Sequence, residues 1–159
     1  MKGIKYMENL QVTSQVTSLE QLKKVKRTEI IELGKFEDGT TFVAELKRPN
    51  MMNLITNKKI PNALLTEATQ LFNGKNKLAN KVVAEDDGES LAQLGELIEV
   101  LAEACLVNPT YKQLKEIDLD LTLEMQMSIM MYSQGGVEAL KNFRKEQQRN
   151  ANNQPSIEV

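Results

Sequence analysis

Paired carboxylates are the residues of this chain that come closest to a catalytic pattern. Asp118 and Asp120 stand two residues apart, and neighbouring carboxyl groups can divide general-acid and general-base work. Both residues, however, lie in a leucine-interleaved segment just before a predicted helix start, where the helix dipole favours negative charge. That position accounts for the pair without any chemistry, so the pair does not predict a catalytic site.

A second acidic cluster surrounds Gly88 and consists of Glu85, Asp86, Asp87 and Glu89. Carboxylate oxygens are the ligands that calcium prefers. The ligand spacing of a calcium-binding loop is missing from this cluster. The sequence therefore predicts a solvated linker here and no metal site.

Residue types that are absent narrow the possible functions further. The chain has no histidine, which removes the usual general base near neutral pH and the commonest metal ligand. Its single cysteine, Cys105, excludes an internal disulfide and a cysteine-rich zinc site. Cys105 falls in an apolar helical pattern, so we expect a small buried residue. We expect no enzymatic activity and no cofactor.

Charge and hydropathy indicate which partners to expect. The 159 residues carry a net charge of −2, whereas a general nucleic-acid binder is more often basic. The basic cluster of Lys23, Lys24, Lys26 and Arg27 has no interleaved aromatic residues, so we expect a solvated face there rather than a nucleic-acid site. No apolar run approaches the roughly 20 residues that span a bilayer, so no membrane association is expected.

The predicted fold class is α+β, mainly α, with a small N-terminal β-hairpin packed on a bundle of about five helices. Two β-rich runs, Thr28–Leu33 and Thr40–Leu46, flank the turn signal Asp38-Gly39. Apolar periodicity predicts three longer helices, at 61–72, 90–107 and 123–149. The last of these is broken at Gly135-Gly136. Three short helices are predicted at 19–26, 49–57 and 111–117.

Three regions follow from this pattern. Residues 1–17 are polar and weakly patterned, which predicts a flexible N-terminal arm. Residues 18–149 form a single, mostly helical domain with the hairpin at 28–46. Residues 150–159 are polar and unpatterned, which predicts a disordered tail.

Half of the eight methionines lie in the eight-residue stretch Met125–Tyr132. On a helical wheel, Leu123, Met127, Met130 and Met131 fall on one side, and Met125, Ile129 and Tyr132 on the opposite side. A helix that is apolar on two faces is either buried between neighbours or packed by one face and open on the other. Methionine suits both roles, because its flexible side chain fills core gaps and also adapts to different partners. The two interpretations stay open at this point.

The order of these elements resembles the tail assembly chaperones of long-tailed bacteriophages of Gram-positive hosts. The resemblance covers roughly residues 28–146. It rests on a segment of the form Leu-Thr-x-Glu, then an apolar helix, then Gly-Val-x-x-Leu-x-x-Phe-Arg; the matching residues are Leu121, Thr122, Glu124, Gly136, Val137, Leu140, Phe143 and Arg144.

This resemblance implies a non-catalytic function in the host cytoplasm. Such chaperones bind the long, largely helical tape measure protein, keep it soluble during tail assembly and can recruit tail tube protein. A homo-oligomer is compatible with this role. The residues expected to bind the partner are apolar and lie on the methionine-rich helix, after its break and in a second patch; they are Leu123, Met127, Met130, Met131, Leu140, Met51 and Met52.

Two other functions fit the same sequence features. One is a small structural tail or head-completion protein that is retained in the virion. The other is a small phage DNA-binding regulator, whose affinity would fall steeply with salt.

Overall fold

The computed structural model describes residues 15–57, 59–72 and 88–153, which form an antiparallel sheet covered on one face by helices. The strands β1 (Thr28–Lys35), β2 (Thr41–Lys47) and β3 (Leu106–Asn108) lie in the order β1-β2-β3. A 3₁₀ turn, Asn62–Leu64, precedes α3, and the α-helices are α1 (Leu19–Lys23), α2 (Met51–Thr56), α3 (Leu65–Phe72), α4 (Gly88–Cys105), α5 (Tyr111–Glu116) and α6 (Leu123–Asn152).

The β1–β2 hairpin follows from alternation of apolar and polar residues. Thr28 pairs with Lys47 and Lys35 with Thr41, so the turn joins the strands directly. The predicted apolar face is buried against the helices, and it comprises Ile31, Leu33, Phe42, Ala44 and Leu46. A lone hairpin is marginal in water, so this cover is what makes the hairpin stable.

The third strand corrects the prediction for the end of α4. The sequence predicts a helix as far as Val107, but α4 ends at Cys105, and Leu106–Asn108 pairs with β2. The physical reason is Pro109, which disfavours helical backbone at Asn108. Leu106 and Val107 then adopt the extended conformation that apolar and β-branched side chains favour beside an open strand.

The core lies between the sheet, α4 and α6. Helix α6 packs against both α4 and β1, and α4 also contacts β2. The stripe predicted on α4 is buried, and it comprises Leu94, Leu97, Ile98, Leu101 and Cys105. The first half of α6 adds Met125, Ile129 and Tyr132, which are almost completely buried.

Gly136 divides α6 into two helical segments, as the glycine pair predicts. Its φ of 69° and ψ of −152° are non-helical and lie in a region that side chains rarely tolerate. Arg48 crosses this break, and its guanidinium donates a hydrogen bond of 3.0 Å to the carbonyl of Gln134. That carbonyl is one of those left open where the first segment ends, so Arg48 caps the segment.

The predicted fold class, α+β and mainly α, is confirmed. The position of the hairpin and the start of α4 differ from the prediction. The hairpin follows α1 and does not open the chain, and α4 and α6 supply most of its cover. Helix α4 begins at Gly88, so Gly88 and Glu89 belong to a helix, while 85–87 lie outside the described residues.

The chain ends are described only in part. Residues 15–17 have no helix or strand, and 1–14 lie outside the described residues. Helix α6 continues to Asn152, beyond the predicted start of the tail at residue 150, and 154–159 lie outside the described residues.

Candidate partner-binding site

Three of the residues expected to bind a partner lie in the core. Met130 is 1% exposed, and Met131 and Leu140 are similarly buried. The burial of Met130 and Met131 follows from the position of α6 against both α4 and β1, and Leu140 is buried in the second segment of α6. In this conformation the protein's own chain covers these three side chains, and their role in partner binding stays a prediction.

The other four expected residues lie at or near the surface. Leu123 is 72% exposed and Met52 is 68% exposed. Met51 and Met127 are half-buried and pack against the core. Leu123 and Met52 are therefore the two that offer a free apolar side chain.

A groove of about 600 Å³ lies between the hairpin turn and the segment that ends at Thr122, the residue before Leu123. We call this the hairpin groove. Its described lining comes from two stretches of chain and comprises Phe36, Glu37, Asp38, Thr40, Leu119, Asp120, Leu121 and Thr122. Phe36, Leu119 and Leu121 are the apolar side chains of this lining, and the exposed Leu123 follows the last lining residue, Thr122, in the chain.

Hydrogen bonds within the turn fix the first side of the hairpin groove. The Asp38 carboxylate accepts hydrogen bonds from the Thr40 backbone N–H at 2.8 Å and from the Thr40 hydroxyl at 2.9 Å. The Phe36 ring packs against Phe42, with ring centroids 5.7 Å apart. Hydrogen bonds within the turn and the contact with Phe42 hold the Phe36 side chain in place, so its position does not depend on a partner.

The second side is fixed by the way α5 ends. Asp118 has a φ of 56°, the N–H of Asp118 bonds to the Lys115 carbonyl, and the N–H of Leu119 bonds to the Leu114 carbonyl. This pair of bonds is a Schellman motif, with aspartate in the position that glycine usually takes. Thr122 then caps α6, since its hydroxyl accepts a hydrogen bond from the Met125 N–H. Residues 119–122 therefore form a short connection that is fixed at one end by the Schellman motif and at the other end by the start of α6.

The hairpin groove is acidic as well as apolar. Of the described residues that line it, Glu37, Asp38 and Asp120 are carboxylates and none is a cation. The hydrogen bond from the Thr40 backbone lowers the pKa of Asp38 below its usual value. Negative charge therefore persists in the groove at mildly acidic pH. A partner with apolar side chains beside lysine or arginine complements this surface.

Sequence reasoning did not single out the apolar residues that line this groove, which are Phe36, Leu119 and Leu121. Leu123, the next residue after the lining, was expected to bind a partner, and that stays a prediction. The available signal was the alternation of acidic and apolar residues from Asp118 to Leu123, which a helical wheel does not register. Asp118 and Asp120 are both exposed, and Asp118 serves the Schellman turn.

Among the described residues, apolar side chains are also exposed on the sheet and on α1, outside the hairpin groove. Ile30 and Val43 lie on the solvent face of the sheet. Helix α1 has no buried residue, although Leu19, Leu22 and Val25 lie along one side of it and the turn that follows.

The described part of the chain holds no cluster of three metal-binding side chains. Cys105 is buried in the core, and burial raises the pKa of its thiol to about 12. Since the thiolate is the nucleophile and the metal ligand, this residue is inert in the folded protein.

We therefore expect Cys105 to resist a thiol reagent such as dithionitrobenzoate at pH 8 in native buffer and to react in full in 6 M guanidinium. The reaction rate should rise at least about a thousandfold on unfolding, because both the exposure and the thiolate fraction increase. The rate is followed by absorbance. Rapid labelling of the folded protein would contradict the burial of Cys105.

No described helix is both long and apolar enough to cross a membrane. Comparison with protein families, with curated proteins and with solved structures finds no match to this chain.

Proposed function

We propose that this chain is a non-catalytic bacteriophage tail assembly chaperone that binds the tape measure protein and keeps it soluble during tail assembly in the host cytoplasm. The observation that carries the proposal is the hairpin groove. It has a volume of about 600 Å³ and an apolar lining, and the exposed Leu123 follows its last lining residue in the chain. Helix-in-groove binding is a common way to hold an amphipathic client.

The residues behind the resemblance support the proposal through their structural roles. Thr122 caps α6 beside the groove, and Gly136 supplies the backbone break. Arg144 donates a hydrogen bond from its guanidinium to the carbonyl of Glu32 on β1, which ties the second segment of α6 to the hairpin. A motif whose residues have structural roles is consistent with a binding protein that needs no catalytic residues.

Co-expression with the tape measure protein tests the function. We expect the tape measure protein to be insoluble alone and to elute with this chain in size-exclusion chromatography when the two are made together. The Leu123→Ser variant should weaken capture at least about tenfold, which is the loss expected for one well-buried apolar anchor.

Val43→Ser is the matched control, because Val43 is an exposed apolar residue on the solvent face of the sheet, outside the groove. It should leave capture unchanged. Recovery of this chain in stoichiometric amounts from purified particles, with no complex in solution, would favour a structural tail or head-completion protein. DNA binding that weakens steeply with salt would favour a regulator.

A further inference from the structure

Helix α1 has the composition that the hairpin groove complements. It presents Leu19 and Leu22 to solvent, and the turn after it adds the exposed Val25. The same short segment carries four cations against the single carboxylate of Glu20; they are Lys23, Lys24, Lys26 and Arg27. An apolar stripe with a basic border is therefore available on every copy of the chain, and so is an apolar groove with an acidic border.

Helix α1 is also complete although nothing in the described part of the chain covers it. Ser18 and Gln21 form a complete capping box, in which each side chain accepts a hydrogen bond from the other residue's backbone N–H. An isolated helix of this length is marginal in water. Three apolar side chains on one side are typical of a helix that becomes buried in a complex.

The groove of the same copy is out of reach for α1. Helix α1 joins β1 at Thr28, while the groove begins at the opposite end of the hairpin, beyond Lys35. The eight-residue strand places these ends roughly 23 Å apart. Backbone hydrogen bonds hold the turn after α1 as far as Val25, which leaves about 11 Å of extended chain to Thr28.

The helix and its turn, from Leu19 to Val25, add about 9 Å to the roughly 11 Å of extended chain. The far end of α1 therefore lies at most roughly 20 Å from Thr28. This falls short of the groove unless β1 separates from β2. An α1 helix that occupies this groove therefore belongs to another copy of the chain.

We propose that α1 of one copy docks in the hairpin groove of a second copy. Leu19 and Leu22 then lie against Phe36 and Leu121, and the cations after α1 face Glu37 and Asp120. Because α1 and the groove are different surfaces of one chain, two copies can exchange their helices reciprocally. The contact is small, which is typical of transient association in the micromolar range or weaker.

The contact uses the groove that the proposed function assigns to the client, so α1 and the client compete for the groove. Only this competition rests on the proposed function. Self-association itself does not. It is measured on the purified chain without any client, so its failure and the failure of client binding are separate results.

Light scattering on a pair of charge-reversed variants tests the proposal. The first variant carries Lys24→Glu and Lys26→Glu, and the second carries Glu37→Lys and Asp120→Lys. All four side chains are exposed, and Asp38 is left unchanged because it fixes the turn. The unchanged protein should show a molar mass that rises above the 17.9 kDa of one chain as its concentration increases.

Each variant alone should remain at the mass of one chain, because its helix and its groove then carry the same charge. An equimolar mixture should associate again, since each helix meets a groove of opposite charge. Circular dichroism verifies that both variants are folded. The proposal is overturned if the unchanged protein stays monomeric at millimolar concentration, if either variant self-associates like the unchanged protein, or if the mixture does not regain mass.

Discussion

Replacing Met130 with serine should destabilise the protein severely, whereas the same replacement at Leu123 should leave the fold intact. Met130 is 1% exposed, so the change removes a buried side chain, leaves a cavity and places a hydroxyl in an apolar site. Such changes cost about 3 to 5 kcal/mol. Leu123 is 72% exposed, and substitutions at such positions usually stay within about 0.5 kcal/mol. Urea unfolding followed by circular dichroism measures both.

This pair of variants decides between the two interpretations of the methionine-rich stretch. A domain of this size has a stability of roughly 5 to 15 kcal/mol, so the loss at Met130 is a large fraction of the total. If Met130→Ser kept the unfolding midpoint and abolished client capture, the methionine would be a partner surface after all, and the packing of α6 described above would be wrong.

Replacing Gly136 with alanine should destabilise the protein by about 2 to 4 kcal/mol. The backbone there has a φ of 69° and a ψ of −152°, a combination that costs a side-chain-bearing residue about 1 to 3 kcal/mol. The added Cβ would also lie 3.3 Å from Cδ of Arg48, whose guanidinium caps the first segment of α6. Urea unfolding gives the change in free energy.

Gly95→Ala is the matched control. Gly95 lies inside α4, a built Cβ meets no atom within 4 Å, and its φ is not positive. Because alanine is the better helix former, this variant should be more stable by about 0.5 to 1 kcal/mol. Opposite signs at the two glycines are the expected result. Equal effects would mean that the break at Gly136 is dispensable and that α6 can run straight.

The parts of the fold that sequence could predict are those governed by neighbouring residues. The alternation around Asp38-Gly39 sets the hairpin and its buried face, because side-chain period and turn chemistry are local. Ser18 with Gln21 predicts a capping box, and Thr122 predicts the start of α6; both are confirmed. The break at Gly135-Gly136 follows from the same kind of local signal.

The parts that sequence could not predict depend on distant contacts. Leu106 and Val107 continue the apolar pattern of α4, and only the open edge of β2 makes them a strand. A wheel shows that Met130 and Met125 lie on different faces, but it does not show that neighbours cover both. The hairpin groove joins residue 36 to residue 121, and no periodicity connects stretches so far apart.

The position of the hairpin before α4 and α6 determines the order of events during synthesis. Its strands adjoin in sequence, so it can form within microseconds of leaving the ribosome. Its apolar face is covered by α4 and α6, and Leu140 is made almost a hundred residues after β2. At 5 to 20 residues per second, that face waits for roughly 5 to 20 s. The nascent protein therefore exposes an apolar face of its own during synthesis. It reaches its cooperative stability only after α6 has been made.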